Sequence, residues 1–475
     1  MVFNSLTFLV FFAAVLALHR LPFPWTAKKL NLLLASYLFY AAWNPPFVIL
    51  LWISTVVDWW IARRIWNARD RSRATRRAWL LVSLAANLGF LGFFKYGEFL
   101  LQNWQSLMAS VGVAYVAPEW NVILPVGISF YTFQTMSYTL DVYLGRSKPL
   151  DSFLDFALFV TFFPQLVAGP IVRPGQLVPQ FETPKQATRD TMLWGLGLIV
   201  LGLFEKVVLA DGGLASATDA VYGAKDPVGF ADAWLGTLAF SGQIFCDFAG
   251  YSTIAVGTAL CLGFGLPDNF RMPYAAIGFS DFWRRWHVSL STWLRDYLYI
   301  PLGGNQKGEA RTYVNLMLTM LLGGLWHGAS WTFVVWGGLH GVYLAAERWI
   351  REQSGVAGDP AGPWNRLALA LLTYFLVNIT WVFFRAESFD GAGRVLAGMF
   401  GLAPDAAPVL PTIYMIKVAV IITGILVVQW LMRNRTLEDV VSRAPWWLTG
   451  AIAAAMLFSV IIAQGAGEAF IYFQF

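Results

Sequence analysis

Charge is scarce in this chain of 475 residues: 13% are Asp, Glu, Lys or Arg, about half the ~25% of a soluble domain. Cysteine is scarcer still. Cys246 and Cys261 are the two, both in apolar context, which excludes a disulfide scaffold and a cysteine-based metal motif. Against these shortages, 57% of residues are hydrophobic and mean hydropathy is +0.57. A soluble globule of this size cannot cover so much apolar surface with polar groups. Composition therefore excludes a disordered chain and an ordinary cytosolic enzyme. Apolar runs recur from end to end, so the expected fold is all-α and polytopic in a membrane. The 23 Trp, 17 Tyr and 38 Phe suit interfacial belts and packing in lipid. The net charge of +5 is modest. It sits in short loops and reads as a topology signal, with no nucleic-acid partner implied.

Loops rich in Arg and Lys are expected on the cytoplasmic side. The clearest is Arg63–Arg77, with seven arginines and one acid, Asp70. The first apolar run is followed, not preceded, by basic residues (Arg20, Lys28, Lys29). It reads as a retained first span with the N-terminus outside. Trp43-Asn44-Pro45-Pro46 breaks the segment Leu30–Ile61 into two crossings. Further spans are expected at Trp79–Phe94, Asn121–Val142, Phe153–Val167, Thr191–Ala210 and Ala233–Phe264, the last bent or split. After a basic stretch from Pro267 to Arg311 come Tyr313–Leu325, Ser330–Ala346, Ala368–Phe384, Thr412–Leu431 and Trp447–Ile462. The total is about 11 to 13 membrane segments including re-entrant hairpins, in one integral membrane domain covering 1–475. The C-terminus is expected outside.

Histidines number four: His19, His287, His327 and His340. Ionisable groups at membrane depth are costly and are functional candidates by default. Basic stretches flank the segments either side of Gly323-Gly324-Leu325-Trp326-His327-Gly328, so the chain turns back there. From Thr312 to His327 is roughly 22 Å of helix, which places His327 deep, at the tip of a hairpin. It is the leading candidate for a general base; the structural alternative is a buried histidine bonding between helices. His340, in Gly337-Gly338-Leu339-His340-Gly341, reads as helix packing through small residues. His19 ends a span beside Arg20 and reads as interfacial. His287 lies among arginines and aromatics in Asp281–Tyr299. That stretch is either an amphipathic helix on anionic lipid or an entrance for an anionic substrate.

These residues carry a resemblance. Asn269, Pro273-Tyr274, DFWRRWHVSLSTWLRDYLYIPLGG (Asp281–Gly304) and GGLWHGASWTFVVWGGLHG (Gly323–Gly341) resemble the membrane-bound O-acyltransferase superfamily. The likeness is to its bacterial branch containing the alginate O-acetyltransferase membrane subunit. LPVGISF (124–130), FPQLVAGPI (163–171) and VVLAD (207–211) fit the same branch. Two positions depart from it: Glu205 stands where Lys is expected, and Thr253 where Asp is common.

The resemblance implies a ring of helices around a central funnel, with His327 as catalytic base and His287 lining the site. It implies acetyl-CoA as cytosolic donor. The donor's phosphates need cations on the inner side, and Arg284, Arg285, Arg295, Lys307 and Arg311 are the available cluster, with Trp326 as a further donor contact. No metal is expected, because the histidines lack companions at ligand spacing. A hydroxyl needs such a base to attack at neutral pH. The terminal hexapeptide 470–475, FIYFQF, reads by itself as an aromatic anchor at the outer interface. By resemblance Tyr472 is a transient acyl relay to an extracytoplasmic serine-dependent (SGNH-like) partner, and from there to a polysaccharide. A bacterial inner-membrane location follows. The contrasting readings are a transporter for a small anion or lipid-linked sugar, and a lipid O-acyltransferase. No inverted repeat is visible in support of the transporter.

Overall fold

The computed structural model describes residues 1–70, 72–167, 169–354 and 362–463. The described chain is built from α-helices joined by turns and short extended pieces. Seven helices among the described residues are long and apolar enough to cross a membrane. The chain divides into two compact units. One comprises Met1–Leu196 and Ala255–Pro267. The other comprises the described residues within Gly197–Ile254 and Asp268–Phe475.

In the first unit, α1 (Leu6–Arg20) and α2 (Trp25–Ala41) precede a break at Pro45-Pro46, after which α3 (Val48–Asn67) begins. The prolines lack the N–H that would continue a helix, so the expected break falls where the sequence placed it. α4 (Arg73–Ser110) follows. The expected span Asn121–Val142 is helical only from Ile128, as α5 (Ile128–Tyr143). Pro125 disfavours helix at Leu124, and Gly127 takes a left-handed φ of 73° just before α5. Its missing Cβ also matters, because one would sit 2.9 Å from the Leu166 carbonyl oxygen. The expected span Phe153–Val167 is instead two short helices, α6 (Phe153–Thr161) and α7 (Phe163–Leu166), broken at Phe162. Phe156, Phe159, Phe162 and Phe163 are fully buried, so this segment is core and not a lipid-facing crossing. α8 (Pro174–Phe181) closes the series. His19 is buried, and its Nε2 donates to the Lys185 carbonyl at 3.0 Å; it is a packed hydrogen-bond donor and not an open interfacial group.

α9 (Arg189–Leu203) runs into a π-helical stretch, Phe204–Ala215, then α10 (Ser216–Tyr222). Residues five apart face each other in a π-helix, and Lys206 uses that spacing to reach Asp211 at 2.8 Å. Its ammonium also meets Asp247 on α11 (Phe230–Cys261) at 2.5 Å. Gly202 and Gly250 let these helices touch, since a Cβ on either would lie within 2.7 Å of the other's carbonyl oxygen. α11 is one continuous helix of 32 residues and is not split. It is also the most buried of the seven candidate spans, at 83% of its apolar window.

α12 (Phe279–Arg285) and α13 (Val288–Leu294) lead to the hairpin α14 (Glu309–His327) and α15 (Trp331–Ser354). α16 (Pro363–Arg385), α17 (Phe389–Met399), α18 (Thr412–Met432), α19 (Leu437–Arg443) and α20 (Trp446–Ala463) complete the second unit. Its aromatic core gathers Phe240, Tyr274, Trp286, Trp336, Trp381 and Phe384. The stretch Asp281–Tyr299 is not one amphipathic surface helix. It breaks at His287, and Phe282, Trp286, His287 and Leu290 are buried.

Candidate active site

The loop that carries His287 is tied to the chain before α12 by two backbone hydrogen bonds. Arg271 N–H donates to the Arg285 carbonyl, and Val288 N–H to the Asn269 carbonyl, both at 2.9 Å. Between them His287 takes a left-handed backbone, φ 44° and ψ 54°. That conformation is uncommon outside glycine and concentrates at functional sites, where packing holds it. His287 is fully buried. Its Nδ1 lies 3.0 Å from Asn269 Oδ1, and its ring meets the Phe248 ring edge-on at 4.7 Å. Burial pushes its pKa from the ordinary 6.5 down to about 3, because the apolar surroundings penalise the imidazolium. The ring is therefore neutral at physiological pH.

His327 is the last residue of α14 and is 2% exposed. Its ring packs against Trp326 and Trp336 at 5.0 Å each and Phe384 at 5.3 Å. The His287 and His327 ring centroids are 6.3 Å apart. Two histidines separated by forty positions in sequence thus share one buried, aromatic-walled site.

Glycines make this convergence sterically feasible. A Cβ on Gly324 would lie 2.3 Å from the Phe333 carbonyl oxygen, and one on Gly337 2.3 Å from that of Met320. At Gly328 a Cβ would meet the Phe333 ring at 2.1 Å. Side chains at these positions would force α14 and α15 apart and move His327. His340, on α15, lies on the other side of a shared neighbour, its ring 4.8 Å from that of Trp336. Its Nε2 is 3.0 Å from Thr380 Oγ1 on α16, and its ring stacks on Phe282 at 5.8 Å. It packs between helices, as its small-residue surroundings suggest.

The basic candidates are distributed unevenly. Arg285 Nε donates to Asp281 Oδ1 at 2.8 Å, and its Nη1 to the carbonyls of Arg433 and Arg271. Arg433 Nη2 reaches the other Asp281 oxygen at 2.9 Å, while its Nε donates to the Ala275 carbonyl. Burial works to raise the Asp281 carboxyl, but the Ile277 N–H and these two guanidinium groups outweigh it. They hold the carboxyl below its ordinary value. Arg295 is exposed and paired with Asp296 at 2.6 Å. Arg284 is exposed. Trp326 is buried beside both histidines, its ring centroid 5.8 Å from that of His287 and 5.0 Å from that of His327. Tyr472 and the 470–475 motif lie outside the described residues. Among the described residues no group of three or more His, Cys, Asp or Glu side chains is arranged to hold a metal ion.

Sequence reasoning placed Asn269 in a motif without giving it a role, and it did not single out Phe384 or Trp336. Neither the hydrogen bond from Asn269 nor the approach of α16 leaves a local periodic signal.

Residues 73–357 match the model of the membrane-bound O-acyltransferase family. The chain belongs to that family. Within it, a probable alginate O-acetylase of Azotobacter vinelandii is 44% identical over 401 residues, covering 84% of this chain and 78% of the relative. A peptidoglycan O-acetyltransferase of Helicobacter pylori is 39% identical over 404 residues, covering 79% and 74%. A teichoic acid D-alanyltransferase of Bacillus subtilis is 27% identical over 289 residues, covering 57% and 71%. The protein is a multi-pass membrane-bound acyltransferase, and the transporter reading falls away with that.

Proposed function

We propose that this acyltransferase moves acetyl groups from cytosolic acetyl-CoA across a bacterial inner membrane for O-acetylation of an extracytoplasmic polysaccharide, alginate or a similar polymer. The observation that carries the proposal is His327 beside His287 in a buried aromatic site, in a chain whose relatives include named O-acetylases. Both termini lie on the outer side in this reading. His327 takes the proton of an attacking hydroxyl as its oxygen bonds the thioester carbonyl carbon. The carbon–sulfur bond then breaks, and the thiolate leaves and takes up that proton as CoA thiol. The tight apolar walls keep water from competing for the acyl group.

The donor's phosphates need cations on the inner side. Arg285 is committed to Asp281 and backbone carbonyls. Arg284 and Arg295 are exposed and are the better placed of the expected set, with Lys307 and Arg311 as neighbours in sequence. Trp326 serves at the thioester end. The first acceptor is Tyr472, whose phenol, with an ordinary pKa near ~10, leaves from an ester more readily than a sugar hydroxyl does. A serine-dependent extracytoplasmic partner of the SGNH type then receives the acetyl group and passes it to the polymer.

Incubation of purified protein with acetyl-labelled CoA, followed by mass spectrometry of the chain, tests this reading. Wild type should carry acetyl on the C-terminal peptide; His327→Ala and Tyr472→Phe should not. CoA release that needs His327 but leaves Tyr472 unlabelled would remove the relay and keep the acyltransferase. Absence of His327-dependent release, with partner and polymer supplied, would overturn the assignment of the base.

A further inference from the structure

Asn269 is buried and stands at the junction of three elements. Its Nδ2 donates to Ser252 Oγ on α11 at 3.2 Å. Its Oδ1 accepts from Ser289 Oγ at 2.9 Å and from the Ser289 backbone N–H at 3.3 Å. A backbone N–H can only donate, so the group facing Ser289 is the amide oxygen and not the NH₂. Turning the amide over would set two donors against each other inside the protein and leave buried polar groups unsatisfied. The same oxygen faces His287 Nδ1 at 3.0 Å. An oxygen that only accepts requires a proton on that nitrogen. A neutral imidazole has one N–H, so His287 Nε2 then carries the lone pair.

We infer that Asn269 is a positioning residue that fixes His287 as the Nδ1–H tautomer, so that its Nε2 serves the acyl-transfer site only as a hydrogen-bond acceptor. The functional half of this inference rests on the acyltransfer chemistry proposed above; the tautomer itself does not. It divides the work of the two histidines. His287 cannot donate to the oxyanion of the tetrahedral intermediate while it is neutral. It instead accepts a hydrogen bond from an N–H or O–H at the reacting centre and so orients it. Donors to the oxyanion must come from elsewhere in the site, such as an indole or backbone N–H. The positive φ of His287 fits the same design. Two backbone bonds and the Asn269 side chain hold a strained residue in place, which aims the ring through its backbone as well as its hydrogen bond.

The test is nitrogen NMR of protein labelled with ¹⁵N-histidine in lipid nanodiscs. The chain has four histidines, and loss of a signal in His287→Ala assigns it. Wild type should show His287 with a protonated Nδ1 and a bare Nε2. Asn269→Leu should shift His287 toward the Nε2–H form and lower kcat by about 100-fold, as supporting-shell losses do, with KM for the donor within a few-fold. Asn269→Asp keeps an acceptor oxygen toward Nδ1; it should retain the Nδ1–H form and recover most of kcat. Ser252→Ala removes only the acceptor of the amide nitrogen; the Ser289 N–H still fixes the oxygen toward Nδ1, so this variant should keep the Nδ1–H form. A wild-type signal with Nε2 protonated would overturn the inference. So would an Asn269→Leu variant that keeps the wild-type tautomer or, where that variant does not fold, an Asn269→Asp variant that loses the Nδ1–H form. If wild type shows the Nδ1–H form yet transfers no acyl group, the proposed chemistry fails while the tautomer assignment stands.

Discussion

His327 and His340 occupy successive arms of one hairpin, and their surroundings separate their roles. His327 shares its site with a second histidine, whereas His340 is spent on Thr380 and on the face of Phe282. Substituting His340→Ala should therefore lower the thermal unfolding midpoint, because it removes a buried ring packed on Phe282 and Trp336 together with one hydrogen bond to Thr380, whose hydroxyl still donates to the Val377 carbonyl; the bond alone is worth about 0.5–1.5 kcal/mol and the cavity adds to it. CoA release per folded molecule should stay within a few-fold of wild type. His327→Ala should differ in activity, with CoA release per folded molecule down by about 100- to 10,000-fold. Thiol release and fluorescence-detected melting on the same preparations check both. Depth did not by itself separate a catalytic histidine from a packed one, but the place of His327 at a hairpin tip was legible in the sequence, because basic stretches flank the two apolar runs and glycines mark the turn. Asn269 was not, because its partnership with His287 depends on two backbone hydrogen bonds across some eighteen residues and on a left-handed φ. No local pattern encodes either.

Among the elements, the α14–α15 hairpin makes the sharpest prediction. Gly324 and Gly338 are both helical glycines, and alanine gains about 1 kcal/mol over glycine in a helix by propensity alone. A Cβ on Gly338 meets only Leu321 Cδ2 at 3.5 Å, an ordinary contact, whereas one on Gly324 meets backbone at 2.3 Å. Gly338→Ala should thus be neutral or stabilising. Gly324→Ala should lower both the melting midpoint and the CoA-release rate, since the helix that moves carries His327. Comparable effects from the two would show that close approach does not set the hairpin. The join between α12 and the end of α18 makes a second prediction. Asp281 binds Arg285 and Arg433, and its carboxyl is held below the ordinary aspartate value. A carboxyl depressed on folding contributes stability that is present above its unfolded pKa, near ~3.9, and is lost as pH falls through the lower folded value. The wild-type midpoint should exceed that of Asp281→Asn at neutral pH, and the gap should close as pH drops below ~4. A gap independent of pH would mean that charge contributes nothing to the join. Most elements could be read from apolar runs and prolines, as the Pro45-Pro46 break shows. The exceptions have a common cause. Asn121–Gly127 and Phe153–Val167 are apolar for reasons other than crossing lipid, one as an irregular entry and turn into α5 and the other as buried core. The π-helical stretch is hidden because its i, i+5 pairing of Lys206 with Asp211 falls outside the 3.6-residue period being sought.

For the molecule as a whole, the question is which face receives the donor. A charged acyl-CoA does not cross a bilayer, so an enzyme using it from the cytosol must open its donor entrance on that side. The arginine-rich segment 63–77 predicts which side that is. Three of its arginines lie over tryptophan rings, Arg63 on Trp59, Arg64 on Trp60 and Arg69 on Trp66, an arrangement suited to a headgroup boundary. The same rule predicts a cytoplasmic side for the basic stretch from Pro267 to Arg311, which brings Arg284 and Arg295 to the surface. Sealed membrane vesicles of opposite orientation separate the alternatives. Inside-out vesicles, with the cytoplasmic face outward, should release CoA thiol as soon as acetyl-CoA is added. Right-side-out vesicles should release it only after permeabilisation. Equal release from both orientations before permeabilisation would mean that the donor site is not confined to one face. Release from right-side-out vesicles alone would place the donor entrance outside and reverse the topology inferred from the arginines, and with it the direction in which the acetyl group travels.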